Sequence, residues 1–136
     1  MKRDLDLCRE ILQALEAHPE RLHADPPKID GRPEKEVAYH LDLLCEAGLV
    51  WSDFKEAQSL ASDNILADKV SKYMHMCQNR DRYRLTWLGH EFLDAARDNT
   101  RWNSAKRKVI DNTGGLAFEF LRAVLMQKGK EVLGLE

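Results

Sequence analysis

Residues 33–50, PEKEVAYHLDLLCEAGLV, constrain this chain more than any other stretch. Val37, Ala38, Leu41, Leu44 and Cys45 fall within one arc of a helical wheel, which predicts a helix over about 34–47. Gly48 then offers the left-handed position at which helices stop, and Leu49-Val50-Trp51 begins an apolar strand. Residues 82–93, RYRLTWLGHEFL, run in the reverse order. Tyr83 and Leu85 alternate with Arg82 and Arg84, as in a strand. Thr86 follows as the cap of a helix to about Arg97, with Leu88, Phe92, Leu93 and Ala96 turned inward. A strand leaving one helix and a strand entering another predict antiparallel pairing of 82–86 with 49–54 in one compact unit.

The remaining segments are mostly helical. Leu5, Cys8, Ile11, Leu12 and Leu15 form an amphipathic stripe over 4–17, with Asp4 as its N-cap. Pro19, Pro26, Pro27 and Pro33 mark 19–33 as loop or short extended chain, with Lys28-Ile29-Asp30 at a sheet edge. Leu66, Val70, Tyr73, Met74 and Cys77 predict a helix at 63–77, inserted between the two strands. A further helix is expected from Trp102 to Ile110, and a strongly apolar one over about 116–128, separated by Asn112-Thr113-Gly114-Gly115. The fold class is therefore mainly α with a small antiparallel β hairpin (α+β). With 136 residues, one domain is expected. Its core is 1–98, and 99–136 form a helical extension that packs on the core or makes a dimer interface.

Several chemistries lack their signatures. No apolar run approaches the roughly 18 residues of a membrane span, and the charged opening Lys2-Arg3-Asp4 has no signal-peptide character. Cys8, Cys45 and Cys77 are odd in number and sparse, which fits buried thiols in a reducing cytoplasm. His75-x-Cys77 and the His40, Cys45 spacing supply too few ligands for zinc, and His90-Glu91 lacks a second histidine. Gly114-Gly115 is followed by no phosphate-loop Lys-Ser/Thr. No metal, cofactor or catalytic residue is expected, and the chain does not read as an enzyme.

The net charge of −2 conceals an asymmetry. Residues 1–68 carry 8 Lys or Arg against 15 Asp or Glu, and residues 69–136 carry 13 against 8. A surface for phosphates therefore belongs to the second half. Arg80, Arg82 and Arg84 alternate so that all three can share one strand face, and Lys106, Arg107 and Lys108 form a second cluster near Arg101. The alternative for both groups is a solvated mixed surface. In the last helix, Leu116, Phe120, Leu121, Val124 and Leu125 are too apolar for a solvated face. They serve either a homodimer interface or packing inside the chain.

Tyr39-His40-Leu41-Asp42-Leu43-Leu44 with Glu46-Ala47-Gly48-Leu49-Val50 resembles the third helix and first wing strand of winged-helix regulators. Met1-Lys2-Arg3-Asp4-Leu5-Asp6-Leu7, Leu85-Thr86-Trp87 with Gly89-His90-Glu91-Phe92-Leu93-Asp94-Ala95, and Asp98 with Thr100-Arg101-Trp102-Asn103 resemble the bacterial and prophage family called domain of unknown function 2513. The resemblance implies a winged-helix-like domain in a phage setting, and no reaction. It would place Glu34, Lys35, Glu36, Tyr39 and His40 in a major groove. Two carboxylates there repel phosphates, so Lys35 is the one cation that helix offers to double-stranded DNA. Two functions remain open: regulatory DNA binding through the arginine strand and the 106–108 cluster, or docking of a host or phage protein on the acidic half.

Overall fold

The computed structural model describes residues 1–19, 24–53, 82–113 and 118–132, without the side chains of 111–113, 118, 120 and 128–132. The predicted helix at 63–77, Cys77 and Arg80 lie outside them. Among the described residues, five helices and a two-stranded antiparallel sheet make an α+β fold. The order is α1 (Leu5–Ala17), α2 (Glu34–Glu46), β1 (Val50–Ser52), β2 (Tyr83–Leu85), α3 (Trp87–Ala96), α4 (Asn99–Thr113) and α5 (Phe118–Val132). The chain divides into two compact units, Met1–Gly89 and His90–Glu136.

In the first unit, α1 buries Leu5, Leu7, Cys8, Ile11, Leu12 and Leu15, the stripe read from the sequence. It packs against α2 and β2, and α2 packs against β1. From α2 come Val37, His40, Leu41 and Leu44; Ala38, expected on that arc, is exposed. The strands pair as expected, Val50 with Leu85, Trp51 with Arg84 and Ser52 with Tyr83. Val50, Tyr83 and Leu85 enter the core, while Arg84 faces solvent.

The sheet edge differs from expectation. Ala24, not 28–30, pairs with β2, through Ala24 N–H to Tyr83 O at 2.7 Å and Tyr83 N–H to Ala24 O at 2.8 Å. Residues 29–32 instead close a turn, with Arg32 N–H donating to Ile29 O at 3.1 Å and Gly31 at φ 76°. The chain must reverse there to enter α2, and glycine accepts that dihedral without a Cβ clash.

One joint connects α2, both strands and α3. The α2 C-terminus is a Schellman motif: Leu49 N–H reaches Leu44 O at 3.0 Å, Gly48 N–H reaches Cys45 O at 3.1 Å, and Gly48 has φ 78°. Thr86 N–H donates to Leu49 O at 3.0 Å, and its hydroxyl donates to Gly48 O at 2.6 Å. The same hydroxyl accepts Gly89 N–H at 3.0 Å, capping α3. A Cβ on Gly89 would overlap the Leu49 carbonyl, so the helix backbone lies directly against the chain leaving α2.

In the second unit, α4 and α5 pack together. Phe92 meets Trp102 edge to face, centroids 6.2 Å apart, and Leu93, Ala96, Ala105, Val109, Leu121 and Leu125 are buried. Helix α4 starts three residues before the expected Trp102, because the Asp98 carboxylate accepts Arg101 N–H at 2.9 Å. It also continues through Asn112 and Thr113, expected as a break.

Gly89→Ala tests the joint against propensity, since alanine in an open helix would gain about 1 kcal/mol. Here we expect a loss of about 1–3 kcal/mol from forced overlap, and about 1 kcal/mol for Thr86→Ala. Urea unfolding measures both. A Gly89→Ala protein as stable as its parent would refute the contact with Leu49.

Candidate interaction surfaces

A connected polar cluster holds the N-terminus of α1 to α2. Asp4 Oδ1 accepts the amides of Asp6 at 3.0 Å and Leu7 at 3.2 Å, completing the N-cap. Its Oδ2 pairs with Arg32 at 2.7 Å, and Arg32 reaches Glu36 Oε1 at 2.8 Å. The main-chain N–H of Asp4 donates to His40 Nε2 at 2.8 Å. His40 Nδ1 lies 2.8 Å from the Glu36 carbonyl. A carbonyl only accepts and an N–H only donates, so the ring is neutral with its proton on Nδ1. With 0% exposure, His40 is committed to the interior and is removed from any groove-reading set.

Burial works to raise the Asp4 carboxyl, but the Leu7 amide, the Arg32 guanidinium and the Asp6 amide outweigh it. Asp4 therefore sits below the ordinary aspartate value. Neighbouring Cys8 goes the other way: burial, reinforced by the negative charge of Asp4, pushes its thiol up to about 12. Cys8 and Cys45 are free thiols, with Cys8 buried and Cys45 half-buried. No group of three His, Cys, Asp or Glu able to hold a metal ion occurs among the described residues.

The solvent face of α2 holds Glu34, Lys35, Ala38, Tyr39, Asp42 and Glu46. Three carboxylates against one ammonium leave it negative. Glu34 and Glu36 lie in the first turn, where carboxylates suit the positive end of the helix dipole. Glu46 is in the last turn, which has no basic residue and where the dipole favours a cation. Asp42 and Glu46 are exposed carboxylates at i,i+4 spacing on this face.

The basic candidates are dispersed. On the outer face of the sheet, the Arg84 guanidinium lies 4.8 Å from the Trp51 ring centroid, and Arg82 is half-buried. In the second unit, Lys106 lies 5.6 Å from the Trp102 ring centroid. Arg107 and Lys108 are exposed, but successive helical positions turn about 100°, so these three do not make one stripe. Lys35 belongs to the acidic α2 face.

On α5, Leu121 and Leu125 are 0% and 1% exposed within the single chain, and Val124 is half-buried. The two leucines expected at a dimer interface are thus already covered inside the chain. Leu116 and the side chain of Phe120 lie outside the described residues.

Trp87 is 81% exposed at the first position of α3. The Thr86 hydroxyl, one residue before it, is bonded to the Gly48 carbonyl just past the end of α2. No local signal marked it, since a tryptophan following a cap fits a buried staple equally well.

The family described as hypothetical protein (DUF2513) matches residues 2–115. The chain belongs to this family. It is 34% identical over 125 residues to an uncharacterized protein of Haemophilus influenzae, covering 91% of this chain and 92% of that one. No solved structure matches it. Among the described residues of this DUF2513 member, no helix is long and apolar enough to cross a membrane.

Two measurements check the cluster. Because the Asp4 carboxyl is lower folded than unfolded, its stabilising contribution is present above the ordinary value of about 3.9 and lost as pH falls through the lowered one. Unfolding free energy should drop below about pH 4, with a shallower acid limb in Asp4→Asn; an unchanged limb would refute the linkage. Cys8 should resist iodoacetamide at neutral pH until the chain unfolds, as mass spectrometry of the modified peptide would report. Rapid native labelling would contradict its burial.

Proposed function

We propose that this chain is a winged-helix-like interaction module of phage or prophage setting that docks a partner protein through the α2 face and the adjacent Trp87. It performs no chemistry of its own. The observation that carries this reading is the net negative charge of the exposed α2 face, where Glu34, Asp42 and Glu46 stand against Lys35. Glu46 also lies in the last turn, where the helix dipole favours a cation. A cationic partner surface would complement such a face. Trp87, exposed one residue after the Thr86–Gly48 bond at the end of α2, has the character of a binding hot spot.

The same surface argues against α2 as a major-groove reader. His40 is interior, and Glu34 and Glu36 occupy the helix end that would meet phosphate. Residues 25–33 carry no helix, so the element that crosses the DNA backbone in a helix-turn-helix is replaced by a proline-rich turn.

A second reading, DNA binding, is favoured by α4. Its exposed residues include Asn99, Thr100, Asn103, Ser104, Arg107 and Lys108, the donor types that contact phosphates and bases.

The two separate experimentally. Immobilised full-length chain is expected to retain a protein from extracts of producing cells, with retention lost in Asp42→Lys and Trp87→Ala while circular dichroism is unchanged. Duplex affinity measured by fluorescence anisotropy should stay weak across salt. Tight duplex binding that falls steeply with salt and disappears in Arg84→Ala with Arg107→Ala would overturn the docking reading in favour of DNA.

A further inference from the structure

We infer that His40 is a proton-operated latch: its neutral ring ties the first four residues of the chain to α2, and proton uptake releases them. The inference is independent of the docking reading. The latch is built from two hydrogen bonds of opposite sense. Nδ1 donates to the Glu36 carbonyl one turn back on α2, at 2.8 Å, and Nε2 accepts the main-chain N–H of Asp4, also at 2.8 Å. The second bond joins two elements and uses the one acceptor site a neutral imidazole has. A proton on Nε2 would set a donor against a donor and place a charge on a ring that is 0% exposed. The closed contact and the charged ring therefore exclude each other.

The neighbouring groups do not remove that conflict. At the start of α1, the Asp4 carboxylate already accepts the Asp6 and Leu7 amides and pairs with Arg32. Cys8, one turn further, is held as an uncharged thiol by its burial. Lys2 and Arg3, exposed in the latched segment, are repelled by a charged ring. From the turn before α2, Arg32 adds another cation. On α2 itself Glu36 is bonded to Arg32, and the Tyr39 ring meets His40 edge to face at 5.5 Å. Strand β1, which also packs on α2, has no titratable side chain. The closed form holds no proton on Nε2 and the released form holds one, so acidification favours release, by about tenfold per pH unit where the freed ring is charged. An imidazole in water gains that charge between about pH 7 and about pH 5, above the acid limb of the Asp4 carboxyl.

Amide hydrogen exchange of the isotope-labelled full chain, followed by NMR between about pH 7.5 and about pH 5, tests the latch, with the ring nitrogen shifts reporting its proton state. After correction for the intrinsic pH dependence of exchange, protection of the Asp4 amide should fall about tenfold per pH unit as the ring charges, while amides of α4 and α5 keep theirs. In His40→Gln the side-chain carbonyl accepts the same amide and does not titrate, so protection should be constant over this range. Asp4→Asn should keep the dependence of the parent. Four results overturn the inference: Asp4 protection that is unchanged across the range, a ring that charges with that amide still protected, the parent's dependence persisting in His40→Gln, or its loss in Asp4→Asn. A fall in protection shared equally by α4 and α5 is general unfolding and overturns it as well. If His40→Gln does not fold, the parent decides alone, because its ring shifts and its Asp4 protection must change together.

Discussion

The meeting of Gly89 with the Leu49 carbonyl is the constraint on which the arrangement of the first unit depends. Two main chains touch there with no side chain between them. Leu49 is fixed by the Schellman closure of α2, and Thr86 is bonded to both Gly48 and Leu49. The direction of α2, the register of the hairpin and the start of α3 are therefore set together. Any residue larger than glycine at position 89 would have to part the helix from the strand. The joint also explains why a three-residue ladder suffices: Thr86 N–H to Leu49 O and Asp53 N–H to Arg82 O extend the pairing beyond both ends of the strands.

The cluster around Asp4 fixes the opposite end of α2 by other means. Here one carboxylate caps α1, pairs with Arg32 and sits beside an amide that His40 holds. Arg32 reaches it from the turn that opens α2, so the proline-rich connection is tied down where the hydrophobic core is not yet formed. Surface ion pairs contribute little individually. This one is coupled to a helix cap and to a buried ring whose two nitrogens are both occupied. Removing any member leaves polar groups of the others short of a partner, which is where the cost lies.

What the sequence revealed divides along range. Gly48, Thr86 and Asp4 announce themselves because caps are local chemistry: a short polar side chain or a glycine beside a periodic apolar run. The hairpin was legible because two alternating segments each adjoined a recognisable cap. Arg32 with Asp4 and His40 with the Asp4 amide join residues 28 and 36 positions apart, and no spacing rule reaches that far. His40 looked like a surface residue among charged neighbours; a wheel places it at the edge of the apolar arc, and its burial is decided by α1. Ala24 took the sheet edge from Lys28-Ile29-Asp30 because Gly31 turns the chain away before those residues can pair. The exposure of Trp87 was equally hidden, because the direction in which its helix turns it is not set by neighbouring residues.

The functional argument likewise separates what a fold permits from what a surface allows. A helix followed by a two-stranded hairpin is compatible with groove binding, and family resemblance invites it. Yet groove binding is an electrostatic act before it is a specific one. On α2 the cations are few, the histidine is internal and the carboxylates sit at both ends. The fold therefore permits a contact with a polyanion that the charge of its exposed helix disfavours.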